Sequence, residues 1–327
     1  MRKTIQQTTH GLKRHLLAHN PIAKPFPLIT FPQRTWSKFL FVYGPLLRIS
    51  GGTRIAEAPN GNAIIRLNDN GPLGSKGDLI QVPEDGIIYK DVVRYGFWEP
   101  EESMFLAQGI QEVPSDQNSN TVLIDIGANS GLITRQTLNL ANSRCDVVLF
   151  EPLKKHTDAI EFNVQPFMPR HQIRIEQVGL SDQNSSAHLF TDLSNKGNSS
   201  VFQSAIADAH HEVNDIILVS THEYFTTHLN AYDHFVLKCD TQGLDASILS
   251  KIPSDMWTKV QRAVIEVWAI PEVQEADVDA LLPSLEDFPI VAWDAEIDTA
   301  VSIAEVRDFW LSRSGESRNL FLRRSHS

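Results

Sequence analysis

From about residue 121 onward, short apolar runs alternate with amphipathic stretches. Val122 to Ile126 and Val147 to Phe150 are each followed by a helical pattern, about Leu132 to Leu140 and Lys154 to Asn163, and a further strand follows at Ile173 to Val178. Strands that are apolar throughout and separated by helices belong to a parallel sheet covered on both faces. The rhythm lapses from Ser181 to Val219, where polar residues and the Gly197 to Ser200 run predict short strands and loops near a site. It resumes with a helix around His222 to Leu229, a strand at His234 to Cys239, a helix at Ala246 to Lys251 and a strand at Ala263 to Val267. Pro289 to Trp293 and Asn319 to Leu322 form a closing pair of strands.

The earlier part is less regular. Prolines at 21, 25, 27, 32 and 45 cut short any helix in the first fifty residues, which are expected to wrap over the main domain or to mediate assembly into a homo-oligomer. Arg54 to Ala58, a Pro-Asn-Gly turn at 59 to 61 and Ala63 to Leu67 read as a hairpin, because Asn-Gly favours tight turns. From Asp91, the residues Tyr95, Trp98, Glu99 and Phe105 lead into a short helix ending near Gly109, and Pro114 to Asn120 is a linker by composition. Residues 1–85 are thus expected to be an accessory extension and residues 86–327 the main domain.

Composition narrows the function. With 42% hydrophobic and 21% charged residues the chain can bury a globular core, and its formal charge of -11 repels a phosphate backbone, so no nucleic-acid partner is expected. Cys145 and Cys239 are too few for a disulfide framework or a four-ligand zinc site, and His210, His211, His222 and His234 show no zinc spacing. No metal is expected. The basic start, with Arg2, Lys3, Lys13 and Arg14, lacks the apolar region of an export signal, and Phe39 to Leu47 is too short to span a bilayer. A cytoplasmic protein with no transmembrane segment is the expectation, with weak membrane contact by the basic start as the alternative.

The most informative segment is Thr121-Val-Leu-Ile-Asp-Ile-Gly-Ala-Asn-Ser-Gly131, a buried strand running into glycines and then a helix. Gly127 and Gly131 let backbone approach a ligand, and amides at the helix start can meet a carboxylate. Glu151, at the end of the next strand, is placed to accept hydrogen bonds from two ribose hydroxyls. A dinucleotide fingerprint would need glycines where Asn129 and Leu132 stand, which disfavours an NAD-dependent oxidoreductase, and no P-loop ending is present. A turn that merely joins strand to helix is the plain alternative.

Together with this segment, Tyr95-Gly-Phe-Trp-Glu99, Phe150-Glu-Pro152, Val178-Gly-Leu-Ser-Asp182, Gly197-Asn-Ser-Ser200, Lys238-Cys-Asp-Thr-Gln-Gly243 and Ile265-Glu-Val267 make the chain resemble the FkbM family of S-adenosyl-L-methionine (SAM)-dependent methyltransferases, over about residues 88 to 270. The resemblance implies a class I methyltransferase fold: an α/β Rossmann-like open twisted sheet, mostly parallel, with an antiparallel C-terminal strand. It implies SAM as cofactor in a cradle that includes Asn129 and Gly131, with Asp125 and Gly127 beside the methionine part, Glu151 on the ribose, and Gly179, Leu180, Ser181 and Asp182 bordering the adenine. It implies methyl transfer to a hydroxyl of a small molecule or glycan, without fixing which. A non-catalytic SAM-binding regulator is the rival outside enzymes.

On the reacting side, Lys238 and Asp240 point to one side of their strand, so Lys238 is expected in a buried ion pair as well as near an acceptor. Where the family usually reads Asp-x-Glu-Gly-x-Glu, this chain has Asp240-Thr-Gln-Gly-Leu-Asp245, and the missing carboxylate at Gln242 leaves Asp240 as the candidate general base and Glu266 as its alternative. Asn198, Ser199, Ser200 and Gln242 are candidate acceptor-binding residues, the first three being equally compatible with a plain polar turn. Trp98 and Phe105 either cover the pocket or pack in the core.

Overall fold

In a computed structural model the described residues are 51–84, 87–113, 120–192, 199–206, 211–293 and 300–324. The expectations for residues 1–50, for 114–119 of the linker and for Asn198 and His210 lie outside them.

The expected hairpin is present as β1 (Gly52–Glu57) and β2 (Ala63–Leu67), and β3 (Leu79–Val82) extends it to a three-stranded antiparallel sheet. Ala63, Ile65 and Leu67 alternate inward and pack with Ile80, Val82 and Leu73. Two helices follow, α1 (Ile88–Tyr95) and α2 (Pro100–Glu112), in place of one short helix ending at Gly109. Gly109 does not stop α2. A Cβ there would meet Val236 Cγ2 at 3.1 Å and Arg262 Cβ at 3.2 Å, so the glycine lets α2 lie close on the main sheet.

The main unit runs β4 (Thr121–Ile126), α3 (Leu132–Ala141), β5 (Asp146–Phe150), α4 (Lys154–Val164) and β6 (Ile173–Glu176). An insert of β7 (Gly179–Ser181), β8 (Ser185–Asp192), β9 (Ser199–Ser200) and β10 (His211–Ser220) comes next, then α5 (Thr221–Tyr224), whose last turns widen into a π-helix over Phe225–Leu229. The chain closes with β11 (His234–Cys239), α6 (Asp245–Leu249), α7 (Ser254–Trp257), β12 (Val260–Trp268), α8 (Glu275–Glu286), β13 (Ile290–Ala292), α9 (Ile303–Trp310) and β14 (Ser317–Arg323). Seven of these strands form one sheet in the order β6-β5-β4-β11-β12-β14-β13, parallel except for β14, which opposes both its neighbours. This is the class I methyltransferase architecture. Strand order reverses between β4 and β11, the place where open α/β sheets bind ligands beyond their strand ends.

Side-chain alternation along β4 and β11 builds two cores. Val122, Ile124, Phe235 and Leu237 face α6 to α9, whereas Leu123 and Val236 face α2 to α4. The interval from Ser181 to Val219 is more ordered than short strands and loops: β8 and β10 pair antiparallel over eight residues, within a sheet of order β7-β10-β8-β9. Its Leu189, Ile216 and Leu218 are buried against Leu153, while Val213 and Ile217 face outward. Such one-sided burial makes the sequence alternate rather than run apolar. No helix of the described residues is long and apolar enough to cross a membrane.

Candidate active site

Two loops meet at the switch point. Gly127, Asn129 and Gly131 all take positive φ, at 75°, 52° and 71°, and bring the chain round into α3. A Cβ on Gly127 would lie 1.9 Å from the Asp240 carbonyl oxygen, so only glycine lets the loop after β4 pass the loop after β11. Ser200 accepts from Phe202 N and donates to the Gln242 carbonyl at 2.9 Å, which fixes the second loop from the insert side. Asp245 braces it from beneath, accepting from Thr241 N and Gly243 N.

Two clefts open here. The first, about 720 Å³ including its mouth, lies between the β4 and β5 ends and the insert, and Gly127, Asn129, Glu151, Gly179 and Leu180 line it. The wall toward the insert is largely apolar, with Phe150, Val178, Leu189, Ile216 and Leu218. The Glu151 carboxylate accepts from Asn129 N at 2.9 Å and from Leu153 N at 3.0 Å. Ser199 also lines this cleft and pairs with Thr191. Ser181 and Asp182 stand outside the lining: Ser181 donates to its neighbour Asp182, and its carbonyl accepts from Thr221.

The second cleft, about 990 Å³, is lined by Trp98, Glu99, Lys238, Glu266, Trp268 and the start of α3. Gly127, Asn129, Asp240 and Gln242 border both clefts. Trp98 is therefore a wall of the site, its backbone held by Gln136, whereas Phe105 belongs to the core, edge-on to Phe321.

Sheet register explains the charged cluster between them. Asp125 and Lys238 are paired residues of adjacent strands, Lys238 neighbours Val264 on β12, and Glu266 lies opposite Asn319 of β14, so all project toward α2. Lys238 Nζ lies 3.6 Å from Asp125 Oδ1, 3.5 Å from Asp240 Oδ2 and 3.3 Å from the Gly127 carbonyl. Asp125 also accepts from Thr134 at 2.7 Å. Gln242 Nε2 donates to Asp240 Oδ1 and to Glu266 Oε2, both at 2.9 Å. Glu102, on α2, accepts from Asn319.

Protonation follows from these contacts. Burial opposes ionisation of Asp240, but Lys238 and the hydrogen bonds from its neighbours outweigh it and hold the carboxyl below its ordinary value. Burial, then the charges of Asp240 and Asp245, push Glu266 well above the carboxylate range. Burial and then Glu99 do the same to Glu102. Asp125 is raised by burial against the opposing pull of Lys238. Burial would lower Lys238, yet Asp240, Asp125 and Glu102 more than reverse this and keep it charged. The cluster thus centres on Lys238, 3.5 Å from Asp240 and 3.6 Å from Asp125, beside a Glu266 that holds its proton more tightly than an ordinary carboxyl.

Glu99, His156 and the apolar wall from the insert line the clefts without having been singled out as functional by the sequence motifs, and Glu102 stands behind the cluster, bonded to Asn319.

No protein-family model and no curated relative matches the chain. Among solved structures it is similar to a methyltransferase FkbM from Methylobacillus flagellatus, with 11% identity and a TM-score of 0.36 over 65% of this chain and 47% of that one. The chain therefore spans about half of that protein. It is similar to a SAM-dependent O-methyltransferase from Thermotoga maritima, with 13% identity and a TM-score of 0.33 over 81% of this chain and 78% of that one. It is also similar to a fibrillarin from Aeropyrum pernix solved with S-adenosyl-L-methionine, with 11% identity and a TM-score of 0.31 over 84% of this chain and all of that one, 100%. At such distances the fold rests on the chain's own strand order.

Proposed function

We propose that this protein is a SAM-dependent methyltransferase of the FkbM type, methylating a hydroxyl of a small molecule or sugar. The observation that carries this reading is the common wall: Gly127, Asn129, Asp240 and Gln242 separate a cleft suited to a nucleoside from one suited to an acceptor. The first cleft fits SAM by its chemistry. Glu151 offers a carboxylate to the ribose, and Phe150, Leu189 and Leu218 offer an apolar slot to the base. Asn129 Oδ1, His156 Nε2 and Thr241 Oγ1 are buried polar atoms without hydrogen-bond partners among the described residues, and all three residues line this cleft. Such atoms are costly unless a ligand satisfies them.

Bound SAM would supply a methyl group already activated on a sulfonium, leaving positioning and one proton transfer to the protein. In this reading Asp240 accepts the acceptor hydroxyl proton at Oδ2. Lys238 holds that carboxylate in place and stays compensated by Asp125 when Asp240 becomes neutral. Gln242 orients Asp240 from the other oxygen. Glu266, kept protonated, serves as a donor to the acceptor rather than as a base. Trp98 and Trp268 offer faces on which a sugar can stack, and the carboxylates of Glu99 and Asp240 disfavour phosphorylated or carboxylated acceptors. Residues 86–327 form the methyltransferase domain in this scheme, with the three-stranded sheet as an accessory unit beside it.

The test is acceptor-dependent formation of S-adenosylhomocysteine by the full chain against fractionated hydroxylated metabolites and glycans. Product with a neutral hydroxylated acceptor supports the reading. Product only with amines, thiols or carboxylates would reassign the acceptor.

A further inference from the structure

His156 sits in the first turn of α4, on the face turned to the sheet, and its side chain is only 2% exposed. Lysines 154 and 155 and Asp158 around it are solvated helix-surface residues in sequence. Burial follows from helical spacing, since His156, Ile160, Asn163 and Val164 share one buried stripe. The ring lines the first cleft beside Glu151 and Phe150. Its Nδ1 faces Glu151 Oε1 at 3.4 Å, whereas Nε2 is buried and without a hydrogen-bond partner among the described residues.

A carboxylate offers about four lone-pair positions. At Glu151 two are taken by Asn129 N and Leu153 N, and the His156 ring, 3.4 Å from Oε1, crowds the third. One remains, on Oε2. A vicinal diol brings two hydroxyl donors, so Glu151 can serve one of them and the other requires a second acceptor. With the His156 proton on Nδ1, the ring nitrogen nearer Glu151, Nε2 is such an acceptor, and its ring belongs to the same wall.

We propose that His156 is a second nucleoside-recognition residue, accepting at Nε2 a hydrogen bond from one ribose hydroxyl while Glu151 takes the other. The inference rests on the first cleft being the SAM site. It makes the cleft selective for an intact ribose diol, and it gives the His-Glu pair a shared role: each orients the other for one hydroxyl.

The experiment is titration calorimetry of S-adenosylhomocysteine and its 2′-deoxy and 3′-deoxy analogues against the full-length wild type, His156→Asn and His156→Gln. Asn keeps a polar group near the Nδ1 position and removes Nε2, whereas Gln reaches the Nε2 position. His156→Asn should bind S-adenosylhomocysteine about tenfold more weakly, the loss of one hydrogen bond, yet bind one of the two deoxy analogues as the wild type does. His156→Gln should recover affinity to within about threefold of wild type. Equal losses for all three ligands in both variants, or no loss at all, would overturn the proposal and leave His156 a packing residue. Failure of the wild type to bind S-adenosylhomocysteine would overturn the cofactor reading itself, which the wild-type titration reports separately.

Discussion

The Gln242 side-chain nitrogen lies 2.9 Å from Glu266 Oε2, and the same amide reaches Asp240. One neutral donor thus joins two acids that also meet each other at the second cleft. Because an amide cannot lose its proton, the bridge holds at any pH at which the fold persists. The two acids are pushed in opposite directions, Asp240 below its ordinary value by Lys238 and Glu266 above its own by burial and the charges of Asp240 and Asp245.

Gln242→Glu should break this independence of pH. A third carboxyl at that point can donate only when protonated, so turnover should survive near pH 5.5 and fall about tenfold by pH 8 as repulsion replaces the bridge. Wild-type turnover over the same range is the control. Parallel profiles for the two proteins would show that the amide bridge does not matter to the reaction.

Asp240→Asn should fold and bind SAM, yet lower turnover by roughly 10²-fold or more, since the proton acceptor is lost and size is kept. Asp240 is held below its ordinary value, so any acid limb of wild-type turnover attributable to it should lie below the ordinary aspartate range. A limb higher up that vanishes in Glu266→Gln would move the base to Glu266. Should neither substitution slow the reaction, approach and orientation alone account for catalysis.

Asp245 ties stability to pH. Burial, then the charge of Asp240, raise its carboxyl to about 6. The folded state therefore binds a proton that the unfolded chain has lost between the ordinary aspartate value and about 6, so this contribution is complete below the ordinary value and disappears as pH rises through about 6. The melting temperature of wild type relative to Asp245→Asn should increase as pH falls from 7 toward 4. A constant difference would show that the carboxyl does not titrate in that window.

Periodicity exposed the parallel sheet because its strands are buried on both faces and read as unbroken apolar runs. The insert was illegible for the opposite reason: β8 and β10 cover the first cleft with one face only, so Leu189, Ile216 and Leu218 alternate with polar neighbours. Gly109 suggested a helix end because glycine is the usual terminator, whereas here its lack of a side chain serves packing. The Gly127 loop and Glu151 were visible as a local motif, and the structure brings both to one cleft. The amide bridge at Gln242 was not, since it joins β11 and β12 through register. Glu102 and His156 pass for solvated helix residues until their spacing is set beside Leu106, Ile110 and Ile160 on the buried stripes of α2 and α4.

The central claim is that the cleft beside Glu151 takes SAM, and titration calorimetry on the full chain, with SAM and NAD in separate cells, tests it most directly. Wild type should bind SAM and not NAD, and Glu151→Ala, with a melting transition near that of wild type, should weaken SAM binding by about one to three kcal/mol because a charge-assisted hydrogen bond to the ribose is lost. Binding of NAD with none of SAM, or an affinity for SAM untouched by Glu151→Ala, would contradict it.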